Sequence, residues 1–173
     1  MPYSIVPKIR RDGVITLIDG TTPTAVTLEV AYEEGDLSID EPSARTFTEM
    51  RDRGAITNVR GTDDQIITGS FSFQFRQFTD ATQAGSVRDF VKGRAFYAAN
   101  ISTGLAGSPR IDESIHCIDL QYLAAGTANG DDADHTITLS KCAITSMGWS
   151  EGDPGTFTVN FNCYGGAVEV GPV

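Results

Sequence analysis

Cations, histidines and long apolar runs are the scarce features of this 173-residue chain. Lys and Arg total 13 against 23 Asp and Glu, for a formal net charge of −10. A nucleic-acid clamp holds phosphate with cationic groups that displace counterions, so this balance argues against one. No segment approaches the ~20 consecutive apolar residues of a transmembrane helix, and no membrane insertion is expected. The opening residues, MPYSIVPKIRRDG, lack an apolar stretch followed by a small-residue cleavage site, so no secretory signal is expected. Cysteine is confined to Cys117, Cys142 and Cys163, an odd number at wide spacing. Reduced, buried thiols in a cytoplasmic product are the expectation, because free cysteine packs as a small hydrophobe.

The same scarcity limits chemistry. Only His116 and His135 are available as imidazole bases, and neither lies in a nucleophile elbow or comparable motif. No C-x-x-C or H-x-x-x-H spacing offers a zinc site. His116 and Cys117 are adjacent on an expected strand, so their side chains leave opposite faces and should not share a metal. Asn129-Gly130-Asp131-Asp132-Ala133-Asp134 has the composition of a calcium loop but not its sixth-position Gly or terminal Glu, and reads as a solvated turn. No phosphate-cradling glycine pattern is present. Carboxylate pairs such as Glu33–Glu34 and Asp63–Asp64 sit in turns. The expectation is a protein with no catalytic residue, no metal and no cofactor, hence not an enzyme.

What the chain does have is period-two alternation from end to end. Val14–Ile18 ends at the turn pair Asp19-Gly20. Residues 25–40 read as a hairpin, Val26, Leu28 and Val30 alternating with Thr27 and Glu29 before the turn at Glu33-Glu34-Gly35-Asp36. Residues 41–65 read as a long polar excursion holding one short strand near Ala55–Val59. The clearest strand spans Ile67–Phe78, with Phe71, Phe73 and Phe75 on one face and Ser70, Ser72, Gln74 and Arg76 on the other. Aromatics at alternate positions cannot form a helical stripe. One helix is expected at about 80–92, with Val87, Phe90 and Val91 as its apolar face. Residues 98–112 read as a loop. Strands resume at Ser114–Leu123, His135–Lys141, Ala143–Trp149 and Thr156–Tyr164. The fold class predicted is mainly β, a β-sandwich or partly closed barrel in one domain, with one short flanking helix.

Two strands combine an aromatic face with a neutral polar one. On the second, Phe157, Val159 and Phe161 oppose Thr158, Asn160 and Asn162. That polar face is either the solvent side of a sandwich or a wetted surface suited to passage rather than adhesion.

The layout resembles the tail-tube (major tail) protein family of long-tailed bacteriophages. The parts that carry the resemblance are an N-terminal strand, the segment 25–40 and the polar excursion. They are followed by Thr68-Gly69-Ser70-Phe71-Ser72-Phe73-Gln74-Phe75 leading into a short helix, and by a closing Gly155-Thr156-Phe157-Thr158-Val159-Asn160-Phe161-Asn162-Cys163-Tyr164-Gly165-Gly166. The resemblance covers most of the chain in order and size, and it does not separate one phage type from another or from the related tube of a contractile injection machine. It implies a virion tail protein, made and assembled in the host bacterial cytoplasm, that forms hexameric rings stacked into a hollow tube. DNA would pass through without specific binding. Partners would be copies of itself and the tape-measure, tail-terminator and distal tail proteins. Lumen-facing candidates are Glu29, Asp36, Asp40, Ser70, Ser72, Gln74, Thr158, Asn160 and Asn162, since acidic and neutral polar groups let phosphate slide past. Arg76 has no place in that scheme. Arg51, Asp52, Arg53, Asp63 and Asp64 would belong to an inter-subunit arm at 41–65 that is mobile in the free subunit and orders on assembly. Alternatives are a capsid decoration or head–tail connector protein, or a β-sandwich binding module presenting exposed aromatics such as Trp149.

Overall fold

A computed structural model of the chain describes residues 13–19, 27–30, 37–43, 45–74, 87–93, 115–124, 134–153 and 155–170. Their elements, in chain order, are β1 (Gly13–Ile18), β2 (Thr27–Val30), β3 (Ser38–Asp40), β4 (Arg45–Asp52), β5 (Ala55–Asp64), β6 (Ile67–Gln74), α1 (Val87–Lys92), β7 (Cys117–Ala124), β8 (His135–Ser150), β9 (Thr156–Cys163) and β10 (Ala167–Val170). The protein is mainly β, and its described strands pair antiparallel. Eight strands form one sheet in the order β2-β1-β7-β8-β9-β6-β3, with β10 also on β8, while β4 and β5 form a separate two-stranded sheet.

The alternation in the sequence becomes the two faces of the large sheet. In β1, Ile15 and Leu17 are fully buried while Thr16 between them is half-exposed. Ile15 lies opposite Val30 of β2 and Tyr122 of β7, and Leu17 opposite Leu28 and Leu120, so apolar partners meet on one face. On the other flank Phe71 and Phe73 of β6 face Val159 and Phe157 of β9. Phe73 stacks on Phe157 with ring centroids 5.1 Å apart. Side chains from both flanks join one buried cluster that includes Ile15, Leu17, Leu120, Leu139, Phe71 and Phe161. A single sheet whose distant strands share one core must curl around it, which is the partly closed barrel arrangement. Each large apolar side chain fully withdrawn from water contributes about 1.5–3 kcal/mol.

Helix α1 adds Phe90 and Val91 to that cluster. Gly93 N–H donates to the Phe90 carbonyl at 3.1 Å and ends the helix. The same carbonyl lies 2.9 Å from His116 Nε2, tying α1 to the residue that precedes β7. The helix expected at 80–92 is thus present over its last six residues, and its beginning lies outside the described residues.

Three expectations are corrected. Residues 25–40 are not a hairpin: β2 pairs with β1 and β3 with β6, at opposite ends of the strand order. Alternation reveals a strand and its faces but not its neighbour. The strands expected at 135–141 and 143–149 are one 16-residue strand, β8. Its hydrophobic phase slips because Lys141 takes a left-handed backbone conformation, φ 56°. Asp119 Oδ1 accepts the Lys141 N–H at 2.8 Å and holds this bulge in place. The excursion at 41–65 is not irregular around one short strand; β4 and β5 form a long ladder, described below.

Candidate functional site

Two surfaces stand apart from the core: the polar face of the large sheet and the β4–β5 hairpin. The polar face follows from register. Thr68, Ser70, Ser72 and Gln74 of β6 lie directly opposite Asn162, Asn160, Thr158 and Thr156 of β9. Ser38 and Asp40 of β3 lie opposite Ser70 and Thr68, and Ser146 and Ser150 of β8 opposite Asn160 and Thr156. Directly opposed residues of antiparallel strands share a face, so these side chains form one patch across four strands. Asp40 is its single charge among the described residues.

Within the patch a shallow cleft of about 290 Å³ is lined by Asp40, Ser70, Asn160 and Asn162 together with Ser38, Thr68 and Thr145. Its amides are held rather than loose. Asn160 Nδ2 donates to Ser146 Oγ at 2.8 Å, Thr145 Oγ1 donates to the Asn160 carbonyl at 3.1 Å, and Asn162 Nδ2 reaches the Tyr164 hydroxyl at 3.4 Å. Ser72, Gln74 and Thr158 continue the patch beyond the cleft.

The structure therefore brings together seven of the nine candidate face residues: Asp40, Ser70, Ser72, Gln74, Thr158, Asn160 and Asn162. Glu29 is exposed on β2, at the far end of the strand order. It lies on the same side of the sheet, in the rung that runs through Thr16, Gln121 and Thr138. Asp36 and Arg76 lie outside the described residues. Ser38, Thr68, Thr145 and Ser146 also belong to the patch. Thr68 was legible from its alternation with Ser70, whereas a register irregularity between Ile144 and Ser146 hides the β8 residues.

The hairpin is built by local chemistry. Arg53 (φ 47°) and Gly54 (φ 89°) both take positive φ, the backbone of a type I′ turn that matches the twist of the flanking strands. Asp52 lies opposite Ala55, and Arg45 at the far end pairs with Asp64, Nε to Oδ1 at 2.9 Å. Arg51 bridges to Glu49 at 2.6 Å. Arg53 occupies the turn, and Asp63 presents its N–H to Thr46 Oγ1 at 3.1 Å. The charges proposed for an arm are thus spread along the hairpin from base to tip.

The apolar side chains of this hairpin were not anticipated. Phe47, Ile56 and Val59 are 65%, 53% and 52% exposed. Val59 lies opposite Glu49 and Ile56 opposite Arg51, and Phe47, Glu49 and Arg51 alternate along β4, so the three apolar residues share one face with the Glu49–Arg51 pair. Three large apolar groups exposed together on a ribbon that, among the described residues, pairs with no other strand form a contact surface rather than scattered exposure.

A third feature is a cleft of about 370 Å³ lined by Met147, Trp149 and Phe157 with Arg88 and Lys92 of α1. Trp149 is 60% exposed and tilts against Phe157 at 6.3 Å between centroids. Among the described residues lining this cleft it is the single exposed aromatic, beside a hydrophobic floor. Among the described residues no group of three or more His, Cys, Asp or Glu side chains could hold a metal ion, and no helix is long and apolar enough to cross a membrane.

No family profile and no curated protein sequence matches this chain. Solved structures do. A chain of the anti-feeding prophage baseplate, six-fold symmetrised, aligns over 99% of this chain and 98% of its own with a TM-score of 0.55 and 13% identity. A chain of the sheath/tube terminator of an extracellular contractile injection system, in the extended state, aligns over 98% and 99% with a TM-score of 0.57 and 11% identity. A chain of the sheath–tube complex of such a system aligns over 97% and 94% with a TM-score of 0.56 and 10% identity. The protein has the fold of components of tail-like injection particles, end to end.

Proposed function

We propose that this chain is a structural, non-enzymatic subunit of a phage-like tail that assembles with copies of itself into stacked, hexameric rings forming a hollow tube. The observation that carries this reading is the fold likeness over nearly the whole length of both chains to parts of a baseplate, a sheath/tube terminator and a sheath–tube complex. The six-fold symmetry of the baseplate supports a hexamer.

Two surfaces fit the role. The patch of Asp40, Ser70, Ser72, Gln74, Thr158, Asn160 and Asn162 would line the lumen, with Glu29 on the same side of the sheet at its far strand. It carries hydroxyls and amides that are hydrated and uncharged, plus carboxylate, so a polyanion gains no counterion release by lingering there. DNA is the cargo we propose, and it would pass without specific binding. The β4–β5 hairpin would be the inter-subunit arm, its Phe47–Ile56–Val59 face covered by a neighbouring copy. Partners at the ends of the tube would be tape-measure, terminator and distal tail proteins.

A second reading is favoured by the terminator and baseplate likenesses: a ring that ends or seats a tube instead of propagating it. Electron microscopy of the purified protein over a concentration series tests both. Stacked tubes of indefinite length support the first, and single rings that never stack support the second. A monodisperse monomer at every concentration would overturn both.

A further inference from the structure

We propose that Cys142 and Cys163 form an oxidation site, a dithiol that a hydroperoxide closes into a disulfide between β8 and β9 of the folded protein. The two residues lie directly opposite each other. Both are free thiols, 0% and 2% exposed. Their place in the ladder favours a bond. Tyr164 N–H donates to the Lys141 carbonyl at 3.2 Å, so the hydrogen bond falls on the neighbouring rung and Cys142–Cys163 is a non-hydrogen-bonded pair. In such pairs the Cα atoms approach to about 4.5 Å and the side chains are closest. That spacing lies within the roughly 4.4–6.8 Å that disulfides span. The third cysteine is excluded by the pleat. Cys117 is opposite Ala143, the residue after Cys142, and therefore lies on the other face.

The two sulfurs are not equivalent, and their surroundings assign the roles. The Cys163 thiol lies 3.0 Å from the Ser140 carbonyl and 3.4 Å from that of Gly166, beside the turn that follows β9. Its acidity is raised, chiefly by the Cys142 side chain beside it, with burial opposing. The Cys142 thiol donates to the Leu139 carbonyl at 3.5 Å and is pushed up by its Cys163 neighbour and by burial. Cys163, beside the turn that follows β9, is the thiol we assign as the attacker once ionised. It displaces hydroxide from the peroxide as the O–O bond breaks, leaving a sulfenic acid on its own sulfur. The Cys142 sulfur then attacks that sulfur. The S–S bond forms, the S–O bond breaks, and the Cys142 proton leaves with the hydroxyl as water. The thiols lose two electrons and the peroxide gains them.

The test uses the whole folded chain. Protein is treated with hydrogen peroxide, then denatured and alkylated, and analysed by intact mass and by chymotryptic mapping; no Lys or Arg follows Cys142, so trypsin would leave both cysteines in one peptide. The expected result is loss of two hydrogens, one alkylated thiol at Cys117, and a link between the peptides of Cys142 and Cys163. Cys117→Ser should form the same link and Cys163→Ser should not. The rate should rise as pH increases, following the thiolate fraction of the attacking group. A link to Cys117, a bond that forms only in urea, or three alkylated thiols after peroxide has oxidised a parallel control dithiol would each overturn the proposal. The wild-type mapping decides it even where a variant fails to fold.

Discussion

The ring of Phe161 on β9 lies over Gly69 of β6, its direct partner in the ladder, so closely that a Cβ on residue 69 would meet the ring at 2.5 Å. The same Cβ would stand 2.6 Å from the Ser38 carbonyl of β3. Glycine here is a matter of room: it lets an aromatic fold onto the strand while β3 closes the edge. Gly69→Ala should therefore destabilise the fold by about 1–3 kcal/mol, the ordinary cost of overpacking. Thermal melts of the purified variant would measure it, and an unchanged midpoint would mean that the ring moves aside freely.

Much of this architecture could be read from side-chain period alone, and the failures have identifiable causes. Phe71 and Phe73 alternate with Ser70 and Ser72, and the pleat sends the two sets to opposite faces, so the polar patch on β6 and β9 was legible. Partner choice was not. Leu28 and Val30 alternate equally well whether β2 pairs with β3 or, as it does, with β1. Bulges erased other signals. At Lys141 the phase of β8 slips by one residue, and one strand reads as two. Between Met50 and Arg51 the β4–β5 register shifts as well, so Phe47, Val59 and Ile56 never form a regular apolar series in sequence although they share a face. The excursion consequently read as polar. Its charges, Arg51, Asp52, Arg53, Asp63 and Asp64, were visible, and its contact face was not.

Cys117 supplies a pH dependence. Its thiol is pushed from 9.0 up to about 11, chiefly by burial, with the Asp119 charge adding to the shift and Lys141 opposing it. Between these values the unfolded chain has released the proton and the folded chain retains it. Stability is therefore fully present below pH 9 and falls as pH rises toward 11. Cys142 shifts in the same direction. Cys117→Ala should flatten the decline between pH 9 and 11 without abolishing it. Denaturant midpoints for both proteins across that range would show this, and parallel curves would contradict it.

The hairpin predicts a separation of folding from assembly. Phe47 and Val59 are more than half exposed and are not members of the buried cluster. Replacing both with serine should change subunit stability by no more than about 0.5 kcal/mol, as for other exposed sites. If a neighbouring copy covers them, the concentration needed for ring formation should rise by at least tenfold, since burying two such side chains contributes a few kcal/mol. Sedimentation velocity of wild type and variant would compare them. Identical assembly curves would remove this face from any subunit contact.

The lumen assignment makes its strongest prediction through charge. Asp40 is the single charge of the polar patch among the described residues, and Glu29 stands exposed at the far strand. Replacing both with lysine should leave the subunit folded and able to assemble, because neither side chain enters the core cluster. In a tube each ring would then repeat the added cations around its bore, and phosphate passing along it would meet them at every level. Neutralising phosphate releases counterions, and the attraction so gained weakens steeply with salt. Particles carrying the Glu29→Lys, Asp40→Lys subunit should look normal and attach normally but release DNA slowly, with raised salt restoring part of the rate. Single-particle release kinetics at two ionic strengths would measure the effect. Unchanged release would take these residues off the lumen, and failure to form tubes would place them at a contact between copies.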